Sequence, residues 1–491
     1  MGRHPVYIWN VEGYDVDRIR EVVGRSMDEM GLRLGKRVLV KHNTVISHPT
    51  LFRHAFTRSE FLDGVLGALT SRVSSETMEI AVGERCGITI PTRFAFRNAG
   101  YLPVIEKHQA KTYYFEEERP TEVRLRGKER LRDAIYTPEP MVRTDFLVNC
   151  PKFKSHPWTG VTFALKNFIG IQDDAHRLVD HDFALNEKIA DLQEIVSPSL
   201  IAIDAVIGGM GRMLVPEPVT LNLVICGVNP VAVDATCCRI AGIDPESIDH
   251  VRICSERGLG PLDEASIDVR GDVELEEAQD RARAITNPMT PVSRFFEATS
   301  LKARAGPPPD EKGSDYCWGG CPGCVQEAID IHKAFTPDVY QRIQPMHLVY
   351  GDCRGQDITT RRGERVMFFG DCVRFDGKIN GKRVVIESSY VERHRKDTHT
   401  IRAEDLVHKT IKSYVTAFLA WPRSWVHVKG CPVSVAEHVL MMAIFGRIKN
   451  VYFDPRVVFM FGWTWLVSNG VRLGRWLTGR LGRKRLPARS H

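Results

Sequence analysis

Short apolar runs recur through the first half of the chain, and each ends in polar residues. Arg37-Val-Leu-Val-Lys-His-Asn43, Thr77-Met-Glu-Ile-Ala-Val-Gly83, Asp145-Phe-Leu-Val-Asn-Cys150, Ser199-Leu-Ile-Ala-Ile-Asp204 and Asn222-Leu-Val-Ile-Cys-Gly227 have the length and continuity of buried strands. Between them, apolar residues fall at helical spacing in Val16–Met30, which stops at Gly31, and in Ser59–Leu69, Arg93–Gly100, Asn186–Ile195 and Pro230–Ala241. Strands alternating with helices predict an α/β fold, a largely parallel sheet with helices on both faces.

The polar residues at the strand ends are Lys41, Asn43, Glu84, Lys152, Lys154, Asp204 and Asn229. A parallel sheet gathers such residues on one edge, where ligand crevices form. The densest stretch is 151–170, which places Lys152, Lys154 and His156 just after a strand. Thr162 to Ile169 then reads as a short helix or extended segment that returns Lys166 and Asn167 to the same mouth. Three cations there suit an anionic substrate or cofactor bearing phosphate or carboxylate; the alternative is a solvated basic loop. His156 is the best general acid or base, because an imidazole titrates near neutrality. Lys152 and Lys154 join it as catalytic candidates. Lys41, Asn43, Thr162, Lys166 and Asn167 are ligand-binding candidates. Asp204 and Asp234 would orient a lysine or hold a metal, or else serve as strand-end and helix-cap acids.

At 491 residues the chain is too long for one core. The pattern divides it into an α/β domain over 1–286, a proline-bearing linker over 287–313, a cysteine-bearing α/β domain over 314–450, and an apolar-aromatic helix with a basic tail over 451–491. With 43% hydrophobic and 26% charged residues and a net charge of +6, the composition is that of a globular protein. No nucleic-acid-binding signature occurs. The N-terminus has no secretory apolar region, so a reducing cytoplasmic setting is expected. There, cysteines are thiols or metal ligands more often than disulfides. Cys86, Cys150, Cys226, Cys237, Cys238 and Cys254 sit in apolar surroundings, as core residues do.

The other six cysteines sit among Gly, Pro and Asp. Cys317-Trp-Gly-Gly-Cys321-Pro-Gly-Cys324 is a C-x3-C-x2-C run. Cys353 and Cys372 follow the strand-like Met346–Tyr350 and Val366–Phe369, each after Gly-Asp. Cys431-Pro432 opens a helix over Ser434–Phe445, where the helix terminus favours a thiolate. Thiolates on Gly- and Pro-containing loops hold a 4Fe-4S cluster, and zinc takes similar ligands. Six candidates exceed the four that one cluster takes.

The tail combines Arg456-Val-Val-Phe-Met-Phe-Gly-Trp-Thr-Trp-Leu-Val467, too short to span a bilayer, with a basic end. It suits peripheral contact through 456–491 with the inner face of the membrane, an acidic groove on a redox partner, or the protein's own core.

Val38–Asn43, Pro151–His156, Gly160–Gly170, Ile201–Val206, Gly227–Asp234 and Gly258-Leu-Gly260 together resemble the domain of unknown function 362 family, over roughly residues 35–272. The resemblance implies an iron–sulphur association, since members often carry such modules, and no general reaction. It departs from the family at His42, where a proline is usual, and in the loop Gly208–Pro216. Gly430-Cys-Pro432 locally resembles the proximal-cluster region of complex I and hydrogenase small subunits. The expectation is an iron–sulphur redox protein passing electrons to an anionic ligand of its N-terminal domain. The alternatives are a non-catalytic electron-transfer or assembly partner in a redox complex, and a non-redox α/β enzyme with zinc or structural thiols. The chain carries no Walker A, Gly-x-Ser-x-Gly or His-Glu-x-x-His motif, and no Gly-x-Gly-x-x-Gly follows its early strands.

Overall fold

The computed structural model describes residues 3–88, 90–173, 176–177, 181, 184–285, 290–308, 315–318, 320–389, 415, 424–451, 454–455, 457–478 and 484–486. They form two compact units. The first comprises 1–173, 186–287 and 460–491, and the second 174–185 and 288–459.

The first unit is built on strands β1 (His4–Asn10), β2 (Arg37–His42), β3 (Glu79–Glu84), β4 (Lys111–Tyr114), β7 (Phe146–Cys150), β8 (Lys152–His156), β9 (Gly160–Thr162), β10 (Leu200–Met210), β11 (Glu217–Gly227) and β12 (Ile267–Gly271), with a separate sheet of β5 (Pro120–Arg124), β6 (Ala134–Pro138) and the strand Lys484–Leu486, which runs parallel to β5. The large sheet runs β12-β1-β11-β10-β7-β2-β3-β4, and β8 pairs with β10 and β9. Every neighbour on the main path is parallel except β11, which is antiparallel to both β1 and β10. β7 is buried at all five positions, as a strand covered on both faces must be. The helix Val16–Glu29 begins where the Asp15 carboxylate accepts the amides of Asp17 and Arg18, and it buries Ile19, Val22, Val23 and Met27.

Three expectations need correction here. β1 has no precedent in the pattern reading, because its buried run Val6–Trp9 does not alternate. The reversed direction of β11 sends Asn229 to the opposite edge from Lys41 and Asp204. There it caps the helix Pro230–Ile240, its side chain accepting the amides of Val231 and Ala232. Residues 151–162 are not a loop beyond a strand but strands β8 and β9. Only Lys166–Ile171 coils, as a 3-10 helix.

The second unit holds strands β13 (Leu301–Ala305), β14 (Met346–Asp352), β15 (Arg365–Ile379), β16 (Lys382–Ile386) and β17 (Trp425–Val428). β13, β14, the first part of β15, and β17 are mutually parallel, while β16 folds back on the second part of β15. The predicted linker 287–313 therefore contains an edge strand and the short helix Val292–Phe295. Proline at its ends hid a five-residue strand whose partner lies forty-odd residues on in sequence. The long helices are Cys321–Phe335 and Val435–Phe445. A Ser434–Glu437 capping box starts the second of these. The tail forms the helix Val458–Leu477, and residues from 460 onward group with the first unit rather than standing apart.

Candidate functional site

Two sets of chemical groups stand out, one in each unit. In the first, strand register places Lys41 beside Asn149 and Gly83, and Lys152 beside Asp204. Lys41, Lys152, Lys154, His156 and Asp204 are all essentially inaccessible to solvent. A buried ammonium is costly unless it is paired and fully hydrogen-bonded, and the surrounding chain meets that demand. Lys41 Nζ lies 2.9 Å from Glu84 Oε2 and donates to Asn167 Oδ1 at 3.2 Å and to the His42 carbonyl at 3.0 Å. Asn43 Nδ2 also donates to Asn167 Oδ1, at 3.3 Å, and Asn167 Nδ2 donates to Asn149 Oδ1 at 2.7 Å.

Lys152 Nζ lies 2.9 Å from Asp204 Oδ2 and donates to the Tyr14 hydroxyl at 2.8 Å. That hydroxyl donates to Asp204 Oδ1 at 3.1 Å, closing a three-membered ring of groups. The Arg58 amide adds a bond of 3.0 Å to Asp204 Oδ2. Burial pulls the Lys152 ammonium below its ordinary pKa against the opposing pull of Asp204. Burial and the same carboxylate push the Tyr14 phenol up. His54 stands half-buried nearby, and burial with the charges of Lys152 and Arg58 lowers it to about 4.

Lys154 Nζ donates to the carbonyls of Ala55 at 2.7 Å and Met213 at 2.9 Å. His156 Nδ1 accepts the amides of Trp158 and Thr159, which makes that nitrogen the lone-pair side of the ring. Thr162 pairs with Lys154 across β8 and β9, and Lys166 is half-buried in the 3-10 turn. Asp234 accepts the amides of Ala164 and Leu165 at 2.7 and 3.0 Å, so it fixes the turn that follows β9. Burial pushes its carboxyl up to about 7 against those two donors.

The expected open mouth of lysines is thus corrected for Lys41 and Lys152, whose charges are met by Glu84 and Asp204. Tyr14 and Arg58 are members of this edge that pattern reasoning missed. Tyr14 follows the unforeseen β1, and Arg58 lies before a helix with no motif around it.

In the second unit, the carboxyl edge of the parallel strands carries the cysteine loops. Cys317, Cys321, Cys372 and Cys431 line one cavity of about 30 Å³, whose other walls include Gly306, Gly320, Tyr350, Phe369, Gly430 and Pro432. Cys321 opens the helix Cys321–Phe335, and its sulphur accepts the Val433 amide at 3.2 Å. Gly320 and Gly370 let backbone approach the sulphurs. A Cβ at Gly320 would sit 2.6 Å from Cys317 Sγ, and one at Gly370 would sit 3.4 Å from both Cys321 Sγ and Cys372 Sγ. Gly370 also has φ +105°, a conformation that disfavours a side chain.

Asp371 ties two of the loops together. Its amide donates to the Gly430 carbonyl at 2.9 Å, and its carboxylate accepts the Gly430 amide at 3.0 Å. His427 Nε2 lies 2.9 Å from the Gly370 carbonyl. Burial, with the thiols of Cys372, Cys324 and Cys317 nearby, pushes the Cys321 thiol well up.

The six cysteines therefore divide. Cys353 packs in an apolar cluster with Val349, Ile358 and Phe375, and its thiol donates to the Tyr350 carbonyl at 3.4 Å. Cys324 is buried on the helix, where Glu327 and Glu437 add to the effect of burial in raising its thiol pKa. Neither lines the cavity. Among the described residues, no three His, Cys, Asp or Glu side chains gather as a single metal ion requires.

The family model Domain of unknown function (DUF362) matches residues 38–239, which include β2 through β11 of the first unit. No curated protein sequence matches the chain. Among solved structures, the chain is similar to the lactate racemase apoprotein from Thermoanaerobacterium thermosaccharolyticum, at 10% identity and a TM-score of 0.31, over 72% of this chain and 70% of that one.

Proposed function

We propose that the second unit is an iron–sulphur module, and that the chain is a redox protein built around it. The reading rests on one observation: four thiols from three separate segments of the chain line a single cavity. Cys317, Cys321, Cys372 and Cys431 would hold the cluster. Zinc draws all its ligands to one point about 2.0–2.3 Å away. In a 4Fe-4S cluster each thiolate takes a different iron, so the sulphurs surround a space instead. Thiols spread around a cavity, with glycine and aromatic walls, favour the second arrangement. When bound, such a cluster supplies reversible one-electron transfer.

The protein's own groups prepare that place. The N-terminus of the helix Cys321–Phe335 and the Val433 amide favour a thiolate at Cys321 over the thiol that burial alone would keep. Asp371 holds the Cys372 and Cys431 loops in register. For the first unit, the reading keeps an anionic small molecule as electron acceptor and moves its contacts away from Lys41 and Lys152. Those two lysines hold the sheet edge together through Glu84 and Asp204.

The test is anaerobic purification with iron, sulphide and zinc analysis and an EPR spectrum of the dithionite-reduced protein. The expected result is iron and sulphide in equal amounts and a reduced-cluster signal. Stoichiometric zinc, or a colourless protein whose cysteines alkylate readily, would overturn the reading.

A further inference from the structure

The helix Val458–Leu477 is turned the wrong way round for a surface helix. Such a helix normally buries its apolar stripe and shows its polar one. Here Thr464 and Ser468 are the buried side chains of the helix. On the same side, Arg475 reaches the Glu117 carbonyl and the Glu118 carboxylate, and Phe461 meets Phe94. Trp463, Leu466, Leu473, Trp476 and Leu477 lie on the opposite side, each between 57% and 69% exposed. Their spacing of three and four residues makes one continuous face. No monomeric surface gains from showing water two tryptophans and three leucines in a row.

The charge of the segment that carries this face points to its cover. From Gly470 to His491 the sequence carries Arg472, Arg475, Arg480, Arg483, Lys484, Arg485 and Arg489, and no acid; Arg475 turns inward to Glu118, and Lys484 and Arg485 lie in a strand beside β5. A second copy meeting this face with its own would bring another acid-free segment. An anionic bilayer offers both an apolar interior for the leucines and a headgroup layer for tryptophan and arginine. Among the described residues, no helix is long and apolar enough to cross a membrane. The fitting geometry is a helix lying in the plane of the interface. We propose that the face Trp463–Leu466–Leu473–Trp476–Leu477 docks the protein on an anionic lipid surface, independently of what the cysteine cavity holds.

The test uses the full chain in flotation with phosphatidylcholine vesicles, with and without phosphatidylglycerol, and measures quenching of tryptophan fluorescence by bromolipids. The wild type should float with the anionic vesicles, bind them less as salt rises, and be quenched. Trp463→Ser with Leu466→Ser should lower binding about tenfold or more. These exposed positions carry no core packing, and unchanged circular dichroism would verify the fold. Failure of the wild type to bind anionic vesicles would overturn the proposal. So would binding by the double variant at wild-type strength, or a wild-type dimer in solution that this variant disperses.

Discussion

The carboxyl edges of the two parallel sheets collect polar side chains by the same topological rule and finish them differently. In the first unit, Lys41 meets Glu84 and Asn167, Lys152 meets Asp204 and Tyr14, and Lys154 meets two carbonyls. In the second, Cys317, Cys321, Cys372 and Cys431 face a cavity bounded by glycine, proline and aromatic rings. One edge is closed by ion pairs and hydrogen bonds between its own side chains, and the other keeps a small cavity among its thiols. A strand-end cluster therefore says little about function until its internal partners are known. Lysine finds carboxylates within its own fold, whereas the four thiols come together around one space.

The sharpest way to break this contrast is to remove a thiol from each class. Cys321→Ser should abolish cluster iron, since the cavity loses its most buried ligand. Cys372→Ser and Cys431→Ser should do the same or nearly so. Cys353→Ala, in the apolar cluster, should leave the iron content unchanged. Equal iron loss from Cys353→Ala and Cys321→Ser, in proteins folded by circular dichroism, would erase the division between cavity and core cysteines.

The opposite experiment belongs to the first unit. Lys152→Met leaves Asp204 buried against Tyr14 with its cation gone, a change that costs about 3–5 kcal/mol of stability. Lys152→Met combined with Asp204→Leu removes both charges and should recover much of that loss, a coupling that urea melts of the two single variants and the double variant would measure. If Lys152→Met is as stable as the wild type, the lysine is not held by its own fold, and the anion-binding expectation for it returns.

The α/β class, most strand cores and the cysteine run were legible in the sequence, because each rests on a local pattern. Buried runs such as Phe146–Cys150 and the helical spacing after Asp15 need no knowledge of distant residues. What stayed hidden depends on pairing. The reversal of β11 is set by its neighbours β1 and β10, and it moved Asn229 off the edge. The strand β13 is defined by β14 and was masked by prolines. Partners also decided the fate of the lysines. Glu84 and Asp204 were visible as strand-end acids, but only register joins them to Lys41 and Lys152. Of the six cysteines, no spacing rule separates Cys372 from Cys353, since both follow Gly-Asp after an apolar run, although Cys372 lies within β15 and Cys353 just beyond β14. The fold of β15 onto β16 puts one at the cavity and the other in the core.

A smaller effect tests whether polar groups of the closed edge titrate as their burial requires. The Asp234 carboxyl is pushed up from 3.8 to about 7 by burial, which outweighs the amides of Ala164 and Leu165. The folded protein then retains a proton that the unfolded chain has released. The stability from this group is complete below the unfolded value and is lost as pH rises through about 7. The difference in urea midpoint between the wild type and Asp234→Asn should shift steadily against the wild type over that window. A difference that is flat in pH would mean that the two amides win and hold the carboxylate ionised.

The finest probe is one oxygen atom on the open edge. Tyr350 is stacked on Phe369 and near-parallel to His438, lines the cysteine cavity, and is buried. Among the described residues, its hydroxyl has no hydrogen-bond partner. A buried donor without a partner costs about 1–3 kcal/mol, so a hydroxyl in that position is informative about what fills the space. A sulphur in the cavity would accept its proton, and a hydrogen bond to sulphur favours the more negative, reduced state of a cluster. Tyr350→Phe keeps the ring stack and removes only the donor. The variant should retain its iron, show a more negative midpoint potential in an EPR-monitored titration, and lose an exchangeable proton coupling that the wild type loses in D2O. Full iron with an unchanged potential and unchanged coupling would place the hydroxyl away from the sulphurs. The hydroxyl's partner would then be a group other than the cluster.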